Sequence, residues 1–316
     1  MILICPICGS SSFQEVASCE RIARELALRD EFFAARVEGR PGEAEMKDRT
    51  DVVHKTAAEI HACRECGLFV RDDDGRGFAG DVYAPYVMER MLRTYIDAFR
   101  RKERLYRPLL DAKFGKGARV LEIGSYVGGF LHVAAEWGWD AIGVDVGADT
   151  AHFACAHGYH TRQATLEECA FDNASFDGVF IWNTFEQLER PHDVIAEVRR
   201  IVRDVVVIRT PSAFFYADTT SPTLLGHANL LGFPHRYGYT TSTLDRLMTQ
   251  HGFDVVAHHG DMHIPPTRSR LTATAKREED EMRTMLAQRS DANEWPWWEG
   301  IYRVSGGGVI VEGLRT

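Results

Sequence analysis

The larger part of the sequence predicts an α/β domain with a mostly parallel sheet and helices on both faces. Three observations lead to this fold class. Short apolar runs that suit strands alternate with helical stretches from residue 118 onward, a pattern typical of parallel sheets. A glycine-bearing turn joins the first strand to the first helix. The chain has 316 residues, 45% of them hydrophobic, which is enough for one large domain and an additional module.

The individual elements follow from the apolar runs and the turn residues between them. We predict helices at residues 130–136 and 194–202 and a glycine turn at 124–129. Strands are predicted at residues 118–123, 141–145, 176–181, 204–209, 253–258 and 307–311, the last being a candidate for antiparallel pairing.

Charge and composition narrow the range of partners. The chain carries 37 Lys and Arg against 46 Asp and Glu, a formal charge of -9, which opposes the basic surface that proteins present to nucleic acids. No apolar run approaches the roughly 20 residues that span a bilayer. Residues 1–7 lack the basic start and long apolar stretch of a signal peptide. We therefore expect a cytoplasmic protein without a membrane partner.

Four of the seven cysteines form two matching CxxC pairs, Cys5 with Cys8 and Cys63 with Cys66, each followed by glycine. Such a turn places two thiolates on one side of a tight backbone loop, and the glycine supplies the positive φ that the loop needs. Two such turns complete a tetrahedral site. We therefore predict a structural Zn2+ ion that stabilises a small N-terminal module similar to a zinc ribbon.

Other interpretations of the cysteines fit less well. A redox CxxC pair needs a strand-to-helix junction within a βαβ unit, which neither pair has. His54 or His61 is a weaker rival metal ligand. The remaining cysteines, Cys19, Cys155 and Cys169, are most simply small core residues.

The two cysteine pairs lie farther apart than in simple zinc ribbons, so a segment is inserted between them. Apolar residues at helical spacing predict a helix over residues 17–37, followed by a Gly/Pro loop at 39–42. An Asp- and Gly-rich stretch at 71–80 predicts a linker. The chain is therefore predicted to comprise a zinc module (1–80), a helical linker or lid (81–115) and the main domain (116–316).

The turn after the first strand suits a nucleotide-like ligand. Gly124, Gly128 and Gly129 let the backbone approach a ligand at the carboxyl end of the strand. Asp145 ends the next strand about 20 residues later, where an acid can accept hydrogen bonds from both hydroxyls of a ribose. A dinucleotide dehydrogenase is the rival interpretation, but Tyr126 replaces the middle glycine of the GxGxxG pattern.

Five stretches combine into one pattern, in chain order: EIGSYVG at 122–128, GVD at 143–145, ATLEE at 164–168, SFDGV at 175–179 and WNTFEQL at 182–188. Together they resemble class I S-adenosylmethionine-dependent methyltransferases, and residues 239–253 resemble the late helix and strand of that family. Two cysteine knuckles ahead of such a domain are similar to those of bacterial methyltransferases with an N-terminal zinc module, some of which methylate sugar nucleotides. The resemblance implies a Rossmann-like, seven-stranded sheet and S-adenosylmethionine as cofactor.

The resemblance also implies which residues contact the cofactor, all of them near the carboxyl ends of the strands. Glu122, Gly124, Tyr126 and Gly128 would face the methionine part, Asp145 the ribose, Thr165 and Leu166 the adenine, and Asn183 the sulfonium. Tyr126 departs from the family pattern, in which a smaller residue is common. Gln187 departs from it too, because many relatives have His there.

Methyl transfer from a sulfonium is an in-line displacement, so the protein mainly aligns the acceptor with the methyl group and excludes water. A hydroxyl or an acidic carbon as acceptor additionally needs a base. The resemblance to sugar C-methyltransferases points to His235, although Pro234 stands where those enzymes tend to have Glu. His227 is the second candidate, and an anchor for its own loop is the alternative role of His235.

Two further stretches are candidates for an acceptor site. Residues 212–233 are long for a simple connection, which suits a substrate wall or lid, or packing over the sheet edge. Residues 295–298, with the sequence WPWW, would either line an acceptor pocket or be buried against the domain.

The leading hypothesis is a zinc-containing methyltransferase that acts in biosynthesis on a small molecule, either a sugar nucleotide or a secondary metabolite. Oxygen, nitrogen and carbon all stay open as the methylated atom, because acceptor loops vary independently of the fold. An RNA methyltransferase is one alternative, which the acidic charge opposes. A non-catalytic scaffold with the same fold is the other, suggested by Tyr126 and Gln187. The sequence predicts no particular oligomeric state.

Overall fold

The computed structural model describes residues 3–23, 58–72, 85–212, 235–261, 272–295 and 297–306. Of the helix predicted over residues 17–37, only its first part lies in these ranges, and residues 19–23 are helical. The loop at 39–42, most of the linker at 71–80, almost all of the lid at 212–233 with His227, and the strand predicted at 307–311 lie outside the described residues.

The regular elements of these ranges are numbered in chain order. The strands are β1 (Phe13–Ala17), β2 (Glu59–Cys63), β3 (Phe69–Asp72), β4 (Arg119–Ile123), β5 (Asp140–Asp145), β6 (Thr161–Gln163), β7 (Phe176–Trp182), β8 (Val202–Pro211), β9 (Tyr237–Gly238), β10 (Phe253–Asp261) and β11 (Trp297–Val304). The α-helices are α1 (Pro85–Arg100), α2 (Glu103–Phe114), α3 (Gly129–Glu136), α4 (Ala148–Ala156), α5 (Pro191–Ile201), α6 (Thr241–Gln250) and α7 (Ala273–Leu286). Short 3-10 helices occupy Phe185–Gln187 and Ala292–Glu294.

Seven strands form the main sheet in the order β10-β11-β8-β7-β4-β5-β6. The five strands from β8 to β6 are parallel, and β11 runs antiparallel to both of its neighbours. This is the Rossmann-like, seven-stranded and mostly parallel sheet that was predicted. The order along the chain reverses beside β4, and ligands of open α/β sheets bind at the carboxyl ends of strands at such a reversal.

Helices cover both faces of the sheet, also as predicted. Neighbouring residues of one strand point to opposite faces, so Val120 and Val205 pack in one core with residues of α1, α2 and α3. Leu121 and Val206 pack in the other core with residues of α5 and α6. None of the helices within the described residues has the length and apolar character needed to cross a membrane.

Several elements of the main domain differ from the sequence prediction. The antiparallel strand in the structure is β11, which begins at Trp297, where no strand was predicted. Trp297 and Trp298 are fully buried in it, so of the two alternatives for the WPWW stretch the structure shows burial. Strand β6 and helix α4 were not predicted either, because β6 has only 3 residues and the sequence between Asp145 and Gln163 carries little apolar periodicity.

The N-terminal cysteine module contributes a second, four-stranded sheet in the order β1-β2-β3-β9. Its fourth strand comes from the main domain, nearly 170 residues after β3. Ile7, Leu68 and Val70 of the module pack in the same apolar core as Tyr237 and Leu244. The module and the main domain therefore share one core and one sheet.

The cysteines outside the two CxxC pairs were expected in the core, and this was wrong for two of them. Cys19 and Cys155 are exposed, and Cys169 is partly buried. Cys155 lies on the outer face of α4, where its thiol donates a hydrogen bond to the carbonyl oxygen of Thr161 at 3.2 Å. A lone cysteine in a sequence does not reveal which face of a short helix it occupies.

Candidate active site

The glycine turn connects β4 to α3 at the carboxyl edge of the sheet. Gly124 has a φ of +76°, and a Cβ placed there would lie 2.0 Å from Oγ1 of Thr184. Glycine is therefore required both by the backbone conformation and by the close approach of the segment after β7. The turn closes with Gly128, which also has a positive φ and precedes the first residue of α3.

Asp145, at the end of β5, ties the glycine turn to the next loop. Its Oδ2 accepts a hydrogen bond from the backbone N–H of Tyr126 at 2.7 Å. Its Oδ1 accepts from the N–H of Gly147 at 2.8 Å and from the hydroxyl of Thr150 at 2.9 Å. The carboxylate is thus held at the edge of the sheet, partly open to solvent.

Val146 is a candidate site residue that was not predicted from the sequence. It directly follows Asp145 and is 72% exposed, the highest exposure among the large apolar side chains described. An apolar surface beside a carboxylate at the ligand-binding edge suits a flat, weakly polar ring. The sequence feature that could have revealed it is the single apolar residue between Asp145 and the polar start of α4.

Tyr126, the departure from the family pattern, is accommodated in the turn. Its φ of 48° is unusual for a residue with a side chain. Its ring packs edge-on against Tyr95 of α1, with the ring centroids 6.1 Å apart. The bulk of Tyr126 is thus directed toward α1, and its backbone N–H still reaches Asp145.

Glu122, on β4, is a carboxyl group buried to 3% exposure. Its Oε2 has no hydrogen-bond partner among the described residues. Burial raises the pKa of Glu122 well above its ordinary value, and the negative charge of Asp145 adds to the rise. An unpaired buried carboxyl is costly by itself, so it indicates a cationic or hydrogen-bond-donating ligand.

Asn183 follows β7 with a φ of 52° and is fixed at three points. Its N–H donates to the carbonyl oxygen of Arg209 at 3.0 Å, and its side-chain oxygen accepts from the Arg209 guanidinium. Its own carbonyl oxygen accepts from Nε2 of Gln187 at 2.7 Å. Gln187 therefore has a structural role at the position where relatives of the family often have His.

Thr165 and Leu166, assigned to the adenine by the resemblance, lie after β6. Thr165 is exposed, and its hydroxyl and N–H form a reciprocal pair of hydrogen bonds with Glu168. Leu166 is buried in the core below. The adjacent Ala164 donates its N–H to the carbonyl oxygen of Asp145 at 3.1 Å, which brings this loop to the same edge as the glycine turn. The adenine contacts of both residues stay a prediction.

His235, the candidate base, forms a pair with Glu186. Its Nδ1 lies 3.1 Å from Oε1 of Glu186, which is completely buried, and Oε2 of Glu186 has no hydrogen-bond partner among the described residues. Glu186 was not predicted as a site residue, because it is 49 residues away from His235 in the chain.

Tyr95, on α1, has a pKa that depends on carboxyl groups from two parts of the candidate site. Burial raises the pKa of Tyr95, while Arg209 opposes the rise and the carboxyl groups of Glu122 and Glu186 add to it. Both acids therefore act electrostatically on the same tyrosine.

A cluster of buried charges adjoins the site, and it was not predicted from the sequence. Arg209 on β8 donates to Oδ2 of Asp261 at 2.6 Å, and Lys102, between α1 and α2, donates to the same oxygen at 2.9 Å. Lys102 also donates to Glu299 of β11, which faces Arg209 across the sheet. Burial alone would raise the pKa of Asp261, but the two cations outweigh it and hold this pKa far below its ordinary value.

Trp297 contacts both this charge cluster and the His235–Glu186 pair. The Arg209 guanidinium lies 4.3 Å from the centroid of the Trp297 ring, a cation–π contact. The ring of His235 packs edge-on against the same tryptophan, with the centroids 6.4 Å apart. Arg209 directly follows the apolar run at residues 205–208, and Glu299 directly follows Trp297 and Trp298. These charges beside apolar residues were the sequence feature that could have revealed the cluster.

The four cysteines of the predicted zinc site come together. All four sulfur atoms lie within 4.8 Å of one another, with Cys5 to Cys66 and Cys8 to Cys63 each at 3.5 Å. A tetrahedral zinc ion with Zn–S bonds of about 2.3 Å places its sulfur ligands about 3.8 Å apart, so the set fits that metal. The hydrogen bond between Cys5 and Cys66 lowers the pKa of Cys5 and raises the pKa of Cys66, because one thiol donates to the other.

The backbones of the two cysteine turns match each other as the sequence predicted. The N–H groups of Gly9 and Gly67 each donate at 2.9 Å to the carbonyl oxygen of the first cysteine of their pair. Both glycines have positive φ values, 73° and 76°. Within the described residues, these four cysteines are the group of His, Cys, Asp and Glu side chains that could hold a metal ion.

Comparison with known proteins gave one family match and several similar structures. A family model described as a methyltransferase domain matches residues 94–258, more than half of the chain. The match includes the glycine turn, Asp145, Asn183 and His235. A comparison with curated proteins gave no match.

Three of the similar solved structures are methyltransferases. The first is an S-adenosylmethionine-dependent methyltransferase from Archaeoglobus fulgidus that is 19% identical in sequence. The match covers 71% of this chain and 100% of that chain, with a TM-score of 0.47. The second is an S-adenosylmethionine-dependent methyltransferase from Mesorhizobium loti that is 16% identical in sequence. The match covers 64% of this chain and 97% of that chain, with a TM-score of 0.45. The third is the magnesium protoporphyrin IX methyltransferase of Synechocystis, solved with bound S-adenosylmethionine, which is 10% identical in sequence. The match covers 72% of this chain and 87% of that chain, with a TM-score of 0.43.

Proposed function

Because the chain belongs to the methyltransferase domain family and is therefore an S-adenosylmethionine-dependent enzyme, we propose that it methylates a hydroxyl or an acidic carbon of a small molecule. His235 is the general base in this proposal, and Glu186 is its partner. The observation that carries the proposal is the hydrogen bond of 3.1 Å between His235 Nδ1 and Glu186 Oε1, at the edge where Asn183 also lies. Sugar nucleotides and related secondary metabolites are the first acceptors to test.

The residues of the glycine turn would hold the donor. S-adenosylmethionine, when bound, supplies a methyl group activated by a positively charged sulfur, and S-adenosylhomocysteine remains afterwards. Glu122 offers its unpaired buried oxygen to the ammonium of the methionine part, and Asp145 accepts a hydrogen bond from a ribose hydroxyl at Oδ2. Val146 supplies an apolar surface for the adenine. Asn183, fixed by Arg209 and Gln187, would lie below the sulfonium.

The acceptor loses one proton as it gains the methyl group, and His235 receives this proton. A buried carboxylate on Nδ1 favours the tautomer that carries its proton there, since Glu186 accepts the Nδ1–H. Nε2 of His235 is then unprotonated and can accept the acceptor's proton. The Glu186 carboxylate stabilises the imidazolium until its proton passes to water. A neutral amine acceptor needs no such base, which is why a hydroxyl or an acidic carbon is preferred.

A methyl-transfer assay with a panel of sugar nucleotides tests this function. Zinc-loaded protein is incubated with S-adenosylmethionine, and products heavier by one methylene are detected by mass spectrometry. His235→Asn should lower the rate by about 10²- to 10⁴-fold, the range of general-base catalysis, without weakening the binding of S-adenosylhomocysteine. The control is His258→Asn, whose ring is bound to Asp245 beneath α6.

The transfer rate and donor binding distinguish the possible outcomes. A His235→Asn protein that transfers at the wild-type rate would show that the base lies elsewhere. Binding of S-adenosylhomocysteine without any methylated product would count against the acceptor class. A protein that binds no donor would favour a non-catalytic scaffold instead.

A further inference from the structure

Strand β9 is held by the cysteine module from one side. It pairs antiparallel with β3, with Phe69 opposite Gly238 and Val70 opposite Tyr237. The backbone N–H of Arg71 extends this pairing by donating to the carbonyl oxygen of Arg236 at 2.9 Å. The residue next to His235 is therefore hydrogen-bonded to the strand that starts just after the second cysteine pair.

The other side of the same segment is held by Glu186. The N–H of Arg236 donates to the backbone carbonyl oxygen of Glu186 at 2.9 Å, and the ring of His235 reaches the carboxylate of Glu186. Arg236 thus uses its carbonyl toward the cysteine module and its N–H toward the main domain. His235 stands at the junction of these two sets of bonds.

Both cysteine turns are fixed to helices of the main domain. The carbonyl oxygen of Cys66 accepts a hydrogen bond from Oγ1 of Thr243, on α6, at 2.6 Å. The carbonyl oxygen of Ile7, inside the first CxxC pair, lies 3.1 Å from Nε2 of His192 on α5. These two hydrogen bonds fix the cysteine turns to α6 and α5. The cysteine module thereby positions β3 beside β9.

We infer that the cysteine module is a positioning element of the active site: its zinc ion fixes the turn before β3, and β3 holds the β9 segment so that His235 meets Glu186. This inference rests on the proposed function, because it gives the module a task in the proton transfer assigned to His235. It predicts that breaking one hydrogen bond between β3 and β9, far from the donor site, impairs transfer without impairing donor binding.

The Arg71→Pro variant tests the hydrogen bond from the Arg71 N–H to the Arg236 carbonyl oxygen by itself. Arg71→Pro removes the N–H that Arg236 accepts, whereas Arg71→Ala removes the same side chain and keeps the N–H. In an antiparallel ladder the N–H of one residue serves one neighbouring strand, so the bonds from β3 to β2 at other residues persist. Both proteins are compared when loaded with zinc, and wild-type protein is examined with zinc and after chelation.

Three measurements are made on each protein: hydrogen exchange of the amides of residues 236–238, binding of S-adenosylhomocysteine by calorimetry, and the rate of methyl transfer. Relative to Arg71→Ala, the proline variant should exchange the β9 amides faster and transfer methyl about a hundredfold more slowly, as for a misplaced catalytic group. Its affinity for S-adenosylhomocysteine should stay within about twofold of Arg71→Ala, as for a change that does not touch the site. Chelation should have the same effect on exchange.

The inference is overturned if β9 amides exchange equally slowly with and without zinc, or if the proline variant transfers as fast as its alanine control. Should Arg71→Pro fail to fold, Thr243→Val releases the Cys66 carbonyl instead and is judged by the same exchange measurement. The proposed function fails separately. If His235→Asn transfers normally, His235 is not the base, while the exchange of β9 still reports on its dependence on zinc.

Discussion

Arg209 holds Asn183 from two directions: its guanidinium donates to the side-chain oxygen of Asn183, and its backbone carbonyl accepts the Asn183 N–H at 3.0 Å. Asn183 can thereby keep the positive φ that places it after β7 at the ligand edge. The same guanidinium is bound to Asp261 and stacked on Trp297. One buried cation thus connects Asn183 to Asp261 and to Trp297.

Replacing Arg209 by methionine should both destabilise the protein and slow methyl transfer. Asp261 and Glu299 would keep Lys102 as their one remaining cation among the described contacts. Removing one partner from a buried charge cluster costs about 3 kcal/mol or more, because the remaining charges stay desolvated. Urea unfolding measures the loss in the free energy of unfolding.

Arg190→Met is the matched control for Arg209→Met. Arg190 pairs with Asp193 on the surface, and both side chains are largely exposed. Exposed pairs contribute less than about 1 kcal/mol, so the control should unfold close to wild type. Equal losses in the two variants would show that the buried cluster is not a stabilising feature of the site.

Glu122→Gln should stabilise the ligand-free protein increasingly as the pH rises. The folded-state pKa of Glu122 is raised above its ordinary 4.5. Below that ordinary value the carboxyl is protonated in both states. Above it the unfolded chain gains ionisation free energy that the folded protein does not, so wild-type stability falls until the pH reaches the folded-state pKa. Glutamine does not ionise, so the variant lacks this fall.

The stability of Glu122→Gln relative to wild type should therefore be greater at pH about 7 than at pH about 5, measured by urea unfolding at both. The same variant should bind S-adenosylhomocysteine about tenfold more weakly, since a hydrogen bond from an ammonium to a carboxylate is lost. Stability and affinity would then change in opposite directions. A variant that loses both would indicate a packing role for Glu122 and no contact with the ligand.

Cys63→Ser should abolish stoichiometric zinc and lower the thermal midpoint, because a structural zinc site contributes its binding free energy to folding. Cys155→Ser is the control, since Cys155 is exposed on α4 and outside the cluster. Elemental analysis of the purified proteins and thermal melting measure the two effects. A Cys63→Ser protein that retains its zinc and its midpoint would refute a four-cysteine site.

The sequence predicted what is local in the chain and missed what is brought together by folding. The glycine turn lies within a few consecutive residues, and Asp145 ends an apolar strand, so both could be placed on the carboxyl edge of a parallel sheet from pattern alone. The two CxxC pairs could be matched because each is a complete local turn. Zinc prefers four tetrahedral ligands, so the two pairs could be predicted to share one ion.

The Glu186–His235 pair and the cluster of Arg209, Asp261 and Glu299 could not be predicted in the same way. Their partners are distant in sequence, and a charged residue in a strand does not reveal which charge will face it. Strand β9 has only 2 residues, too few for any pattern, although it is the strand that joins the cysteine module to the candidate base. Strand β11 was missed because the tryptophans of the WPWW stretch were interpreted only as a pocket wall or as residues buried against the domain, and neither interpretation assigns a strand.

Calorimetric titration of zinc-loaded protein with S-adenosylhomocysteine tests the central claim most directly, when wild type is compared with Asp145→Ala and Asp149→Ala. Asp149 is an exposed acid in the first turn of α4, four residues after the strand end, so it controls for the loss of one negative charge. We predict micromolar binding by wild type and Asp149→Ala and a loss of binding in Asp145→Ala. Absence of binding to folded, zinc-loaded wild type, or equal binding by all three proteins, would contradict the assignment of this edge of the sheet as the donor site.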